Sequence, residues 1–137
     1  MMLEKLRDVI TDQAKYFLSN AGEFYPFGAA ISMDSEIVPL GVQLDNDYPQ
    51  PQEVIVILEN AIIKKLKDRE AQMAGIGTDV NYKPIGESEK KSAIQIRILR
   101  SSGESIDYYL PYRNENGKFI YEDFFSEKGT LNFLKAI

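Results

Sequence analysis

Residues 94–121 read IQIRILRSSGESIDYYLPYRNENGKFIY, and this stretch decides the fold class. Ile94, Ile96 and Ile98 alternate with Gln95 and Arg97, the period of two that a half-buried strand requires. Ser101-Ser102-Gly103-Glu104 supplies residues that reverse an extended chain, and Ile106-Asp107-Tyr108-Tyr109-Leu110 carries it back. Asn114-Glu115-Asn116-Gly117 makes a second reversal into Phe119-Ile120-Tyr121. Parallel neighbours need a crossover of a dozen or more residues, so connections this short predict antiparallel pairing.

Upstream of this meander the periodicity changes. Leu3, Leu6, Ile10, Ala14, Phe17 and Ala21 recur at steps of three and four with charges between them, which predicts an amphipathic helix stopped by Asn20 and Gly22. Phe24 to Met33 reads as a strand bent in its first half by Pro26 and Gly28. Asp34-Ser35 then turns the chain into a second strand, Glu36 to Leu44. Asp45 to Pro51 is dense in turn residues, and Pro51 suits the first turn of a helix. Val54, Ile55, Leu58, Ala61, Ile62 and Leu66 carry that helix through about Gln72, with Val56, Ile57 and Ile63 widening its apolar arc.

Gly75 reads as the glycine that ends the second helix, after which Ile76, Thr78, Val80 and Tyr82 alternate as a strand. Pro84 to Lys91 is a polar loop, and the tail from Glu122 to Ile137 reads as one or two short helical turns around Gly129. The order αββαβββ(β)α predicts an α+β fold, with an antiparallel sheet of about five strands and two main helices packed on it. No repeat or linker divides the chain, so residues 1–137 read as one domain.

Composition narrows the chemistry further. The 137 residues include neither cysteine nor histidine. Thiolate and imidazole ligands for structural zinc, Fe–S clusters and haem are therefore missing, as are disulfides and the Ser-His-Asp and Cys-His nucleophile systems. Sixteen basic against 21 acidic residues give a net charge of -5, which argues against nucleic acid and anionic membranes as partners. The longest apolar stretch, Val54 to Leu58, is too short to span a bilayer, and the first residues lack a secretory pattern, so the expectation is a cytoplasmic location.

Glu23-Phe24-Tyr25-Pro26-Phe27-Gly28 early in the chain and Tyr109-Leu110-Pro111-Tyr112 late give a pattern that resembles small uncharacterised bacterial proteins; that resemblance implies no activity. In element order the chain is similar to profilin-like, roadblock-type modules, a likeness of topology alone. Phe27-Gly28-Ala29-Ala30 through Leu44-Asp45-Asn46 resembles the opening of cytidine-deaminase-type enzymes. Those enzymes hold a zinc-bound water on His or Cys ligands. Glu53 stands here without any such ligand, so zinc-dependent deamination is excluded.

Two sets of candidate site residues follow. Glu23, Tyr25, Phe27, Gly28 and Asp45 could form a pocket, with Gly28 admitting close backbone approach, Tyr25 offering a hydroxyl and Glu23 pairing with a cationic group. The competing reading makes the same segment a packing corner of aromatic rings. Ile57, Ile63, Tyr109, Tyr112 and Arg113 could form an interface, because alternation sends Tyr108 and Tyr112 to one sheet face and Tyr109 to the other. Asp45, Asp47 and Glu53 lack the spacing of a calcium loop, and turn and helix-start chemistry accounts for them; no metal or other cofactor is expected. The leading expectation is a non-enzymatic interaction or regulatory module that self-associates as a homodimer and has a protein partner. The alternative is a small-molecule binding protein or cofactor-free enzyme with a carboxylate and tyrosine pocket.

Overall fold

A computed structural model describes residues 2–41 and 49–133. The chain runs α1 (Met2–Ala21), β1 (Phe27–Ser32), β2 (Ile37–Leu40), α2 (Pro51–Lys67), β3 (Ala71–Tyr82), β4 (Lys91–Arg100), β5 (Ser105–Glu115), β6 (Lys118–Tyr121) and β7 (Phe125–Lys128). The fold is α+β. The antiparallel sheet has seven strands in the order β2-β1-β3-β4-β5-β6, with β7 pairing the other half of the edge of β5 that β6 pairs. Of the two strands beyond about five, β6 is the strand expected at Phe119-Ile120-Tyr121 and β7 was not expected. The tail was expected to form helical turns, but residues 125–128 pair with Ile106–Tyr109, which gives the aromatic Phe125 a stacking partner in Tyr109.

The two helices cover opposite faces. Leu6, Ile10, Ala14 and Leu18 of α1, spaced by four, are fully buried against Ala29, Ile31, Met73, Ile94, Ile96, Ile98, Tyr108 and Leu110. Val54, Leu58, Ile62, Ile63 and Leu66 of α2 pack on Ala30, Ala74, Ile76 and Leu99. Each fully buried Leu or Ile contributes roughly 1.5–3 kcal/mol of transfer free energy, so these two stripes are what fix the helices to the sheet.

The second helix ends five residues before the expected point. Lys67 is its last residue, and the chain leaves through Arg69 at φ 58, with the Arg69 N–H donating to the Leu66 carbonyl and that of Glu70 to the Lys65 carbonyl. Gly75, expected to stop the helix, lies inside β3 for a tertiary reason. A Cβ on Gly75 would stand 2.9 Å from Ile10 Cδ1, and one on Gly77 would stand 2.7 Å from Ile10 Cγ2 and 3.0 Å from the Phe27 ring. The two glycines let α1 settle directly on the strand. The first helix does end as read, with Gly22 at φ 79 and its N–H bonded to the Leu18 carbonyl.

Candidate functional site

At Phe27, which pairs with Gly77, β1 begins, so β3 runs on from Thr78 without β1 beside it. The turn from α1 and the start of α2 stand around that gap. The result is an open cleft of ≈ 670 Å³, walled by Ala21 and Glu23 to Pro26 on one side and Pro49 to Pro51 on another, with Thr78 and Asp79 of β3 also lining it.

Asp79 is the chemical centre of this cleft. It lies opposite Ile94 in the ladder, on the face of the sheet that α1 covers. Tyr112 Oη donates to Asp79 Oδ1 at 2.6 Å, a short, charge-assisted bond. Burial holds the Asp79 carboxyl above its ordinary value, the negative charge of Glu23 pushes it the same way, and the Tyr112 bond opposes both. The Tyr112 phenol is pushed well up, first by burial and then by its bond to Asp79 and the charge there. Its proton therefore stays on oxygen at neutral pH, donated to the carboxylate. Asp79 Oδ2 makes no hydrogen bond among the described residues.

Thr78 points to the opposite face from Asp79 and is 6% exposed. Its Oγ1 is buried without a hydrogen-bond partner among the described residues. Such a group costs about 1–3 kcal/mol when left unsatisfied. At the helix end, Pro51 has no N–H to offer, and the N–H groups of Glu53 and Val54 bond back to the Gln50 carbonyl. Glu53 adds an acid to the first turn.

Of the expected pocket residues, Glu23 and Tyr25 line this cleft. Phe27 and Gly28 do not. Phe27 packs edge to face on Phe17 at 5.5 Å and on Phe24 at 5.7 Å, and a Cβ on Gly28 would meet the Gly75 carbonyl at 3.0 Å. Both residues border a separate hollow of ≈ 480 Å³ between α1 and the β1–β2 hairpin. Asp45 lies outside the described residues.

The expected interface residues do not share one surface. Ile63 is fully buried under α2, whereas Ile57 is 37% exposed on its outer side. Tyr112 faces α1 and is held by Asp79. Tyr109 faces the other way, accepts from Gln95 Nε2 at 3.0 Å and stacks on Phe125 at 4.9 Å. Arg113 is exposed beside the β5–β6 turn and pairs with Glu115 at 2.9 Å.

A second polar cluster lies on the α2 face. Arg97 Nη2 meets Glu59 Oε2 at 2.8 Å and Arg97 Nε donates to Thr130 Oγ1 at 2.9 Å; Thr130 Oγ1 in turn donates to Asp107 Oδ2 at 2.8 Å. Arg97 and Asp107 are 8% and 1% exposed. The cluster closes on itself, tying α2, β4, β5 and the segment after β7 together, and reads as a clasp. Breaking one member of such a buried set costs about 3–5 kcal/mol.

Among the described residues no group of three or more acidic side chains, His or Cys could hold a metal ion, and no helix is long and apolar enough to cross a membrane. No protein-family model, curated protein or solved structure matches the chain.

Proposed function

We propose that the chain is a non-enzymatic binding module and that the cleft beside β3 is its recognition site. One observation carries this reading. The cleft combines apolar walls from Phe24, Tyr25 and three prolines with a few convergent polar groups, the composition of a site that orients a ligand. Tyr112 has its pKa raised and donates its proton to Asp79, so the phenol is not a base at neutral pH.

The test is a thermal-shift panel of cationic, anionic and neutral small molecules, run on the chain and on Ala21→Trp. Ala21 is exposed at the end of α1 and lines the cleft, so an indole there fills the site without disturbing the core. The expected result is at least one stabilising compound whose effect Ala21→Trp removes. Stabilisation that survives the block, or chemical conversion of the bound compound, would overturn the reading.

A further inference from the structure

Residues 125–133 dock on the body of the chain as a separate piece. The β6 and β7 ladders lie on the same edge of β5; between them the Glu122 N–H donates to the Pro111 carbonyl, and Phe125 stands opposite Tyr109. Asp123 and Phe124 therefore face the single residue Leu110, a bulge that divides the ladder in two. Phe124 is held at this point by Tyr108 and by the Arg7 guanidinium, 4.6 Å from its ring. Beyond it all four residues of β7 are exposed. The contacts of the segment run outward to the body: β7 to β5, Phe125 to Tyr82 and Tyr109, Leu131 and Phe133 to the core under α2.

What seats the segment is a set of buried groups that reads one residue. The Asp107 carboxylate accepts from the Thr130 N–H at 3.3 Å and from its hydroxyl at 2.8 Å, and among the described residues these are the hydrogen bonds it receives. Arg97 donates to the same hydroxyl. Asp107 and Arg97 are buried whereas Thr130 is exposed, so a built polar site in the body grips a surface residue. Gly129 passes so close to Ser105 that a Cβ would strike it, so glycine alone fits there, and Leu131 then enters the core. A buried ionic set adds little net stability over apolar packing of similar volume. What this one supplies is a demand for Gly-Thr-Leu in one register, which suits a segment that leaves and finds its place again.

We propose that the surface under residues 125–133 is an interface between two copies of this chain, each receiving the other's segment in place of its own. A second copy meets every requirement of the site, because it carries the same Gly129, Thr130 and Leu131. The closed and exchanged forms share their contacts. The balance between them is set by chain concentration and by the bulge at Asp123 and Phe124, where the chain has to change its path. Glu127 and Lys128 cancel within the segment, so exchange moves no net charge from one copy to the other. The residues that line the cleft take no part, and the interface stands or falls independently of the binding-module reading.

The experiment is disulfide trapping between full-length chains, which have no cysteine of their own. Ile106 and Lys128 stand opposite each other in the β5–β7 ladder, within reach of a disulfide. A chain with Ile106→Cys is mixed with a chain with Lys128→Cys under mild oxidation. A mixture of Lys64→Cys, at an exposed position on α2, with Lys128→Cys measures chance collision. The expected result is a 106–128 crosslinked heterodimer, read by intact mass and peptide mapping, that rises with chain concentration and exceeds the 64–128 background. Thr130→Val in both chains keeps the shape of the residue and removes its hydroxyl. Closed and exchanged forms lose the same bonds, so the final yield stays while its rate of appearance rises about tenfold or more, as loss of hydrogen bonds to charged groups predicts. Thr130→Ser, which keeps the hydroxyl, should exchange close to the parent's rate. A 106–128 yield no greater than the background at the highest soluble concentration would overturn the proposal, whatever the Thr130 variants do. So would a Thr130→Val rate equal to the parent's, or a crosslink that survives Gly129→Ala, since a segment that cannot pass Ser105 seats in neither copy.

Discussion

Tyr112→Phe removes one oxygen from the site and nothing from its packing. The lost bond, 2.6 Å to Asp79 Oδ1, has a carboxylate acceptor, and such bonds contribute about 1.5–3 kcal/mol. Asp79 is only half-buried, so water recovers part of the loss and about 1.5 kcal/mol is the expected cost at pH 7. The pH dependence follows from the sign of the shift. The folded Asp79 carboxyl sits above the ordinary 3.8, so ionising it costs stability; that cost is absent below 3.8 and grows as the pH rises through the folded value. The Tyr112 bond is the one favourable influence on the charged form. Without it, the carboxyl titrates at a still higher pH. At pH 3, where the acceptor is neutral, the variant should lose only the roughly 0.5–1.5 kcal/mol of an uncharged bond. Urea unfolding at pH 7 and pH 3 measures the two costs, and ¹³C-detected titration of Asp79 measures the shift. A Tyr112→Phe chain as stable as its parent at pH 7, or an Asp79 value that stays or falls, would falsify this account.

Two further outcomes follow from packing. Gly77→Ala brings a methyl against Ile10 and Phe27 and should cost about 1–3 kcal/mol by overpacking. Because Ile10→Ala opens room at the same place, a denaturation-based double-mutant cycle should return a coupling of about 1 kcal/mol or more; additive losses would mean that α1 does not bear on this strand. Ile63→Glu places a charge in a fully buried site and should abolish cooperative unfolding in circular dichroism, whereas Ile57→Glu, at 37% exposure, should melt within a few degrees of the parent. Equal behaviour of the two variants would contradict the orientation of α2.

How much of this was legible depends on how local each cause is. The α1 stripe could be read because residues four apart share a helix face, and the Ser101–Glu104 turn could be read because its residues reverse a chain locally. Gly75 could not be read correctly in isolation. A glycine after an amphipathic run is a helix-stop signal, and what overrides it is Ile10, 65 positions away, needing the space a Cβ would take. The Arg97–Asp107 pairing was within reach. The register set by the β4–β5 turn puts 97 opposite 107 and 95 opposite 109, so the turn already places the arginine beside the aspartate on one face.

Asp79 was hidden for a different reason. Thr78, Val80 and Tyr82 announce a strand by alternation, and the residue between them reads as the solvent side of a one-faced sheet. The sheet is two-faced, because α1 and α2 cover it from opposite sides, so the odd positions of β3 are inward as well. Along that inward row run Met73, Gly75 and Gly77, where α1 rests on the strand, and then Asp79, where α1 has ended and the chain turns through Glu23. The same arrangement that demands glycine under Ile10 leaves space two residues later. A charged side chain can stand there with a tyrosine from β5 and still face solvent through the cleft. The site is thus a consequence of the lengths of two elements, α1 stopping at Ala21 and β1 starting at Phe27 while β3 continues to Tyr82. Shortening β3 by deleting Asn81 and Tyr82 would leave Asp79 in place, whereas extending β1 by even two residues toward Tyr25 would pair Thr78 and close the gap from which the cleft is made.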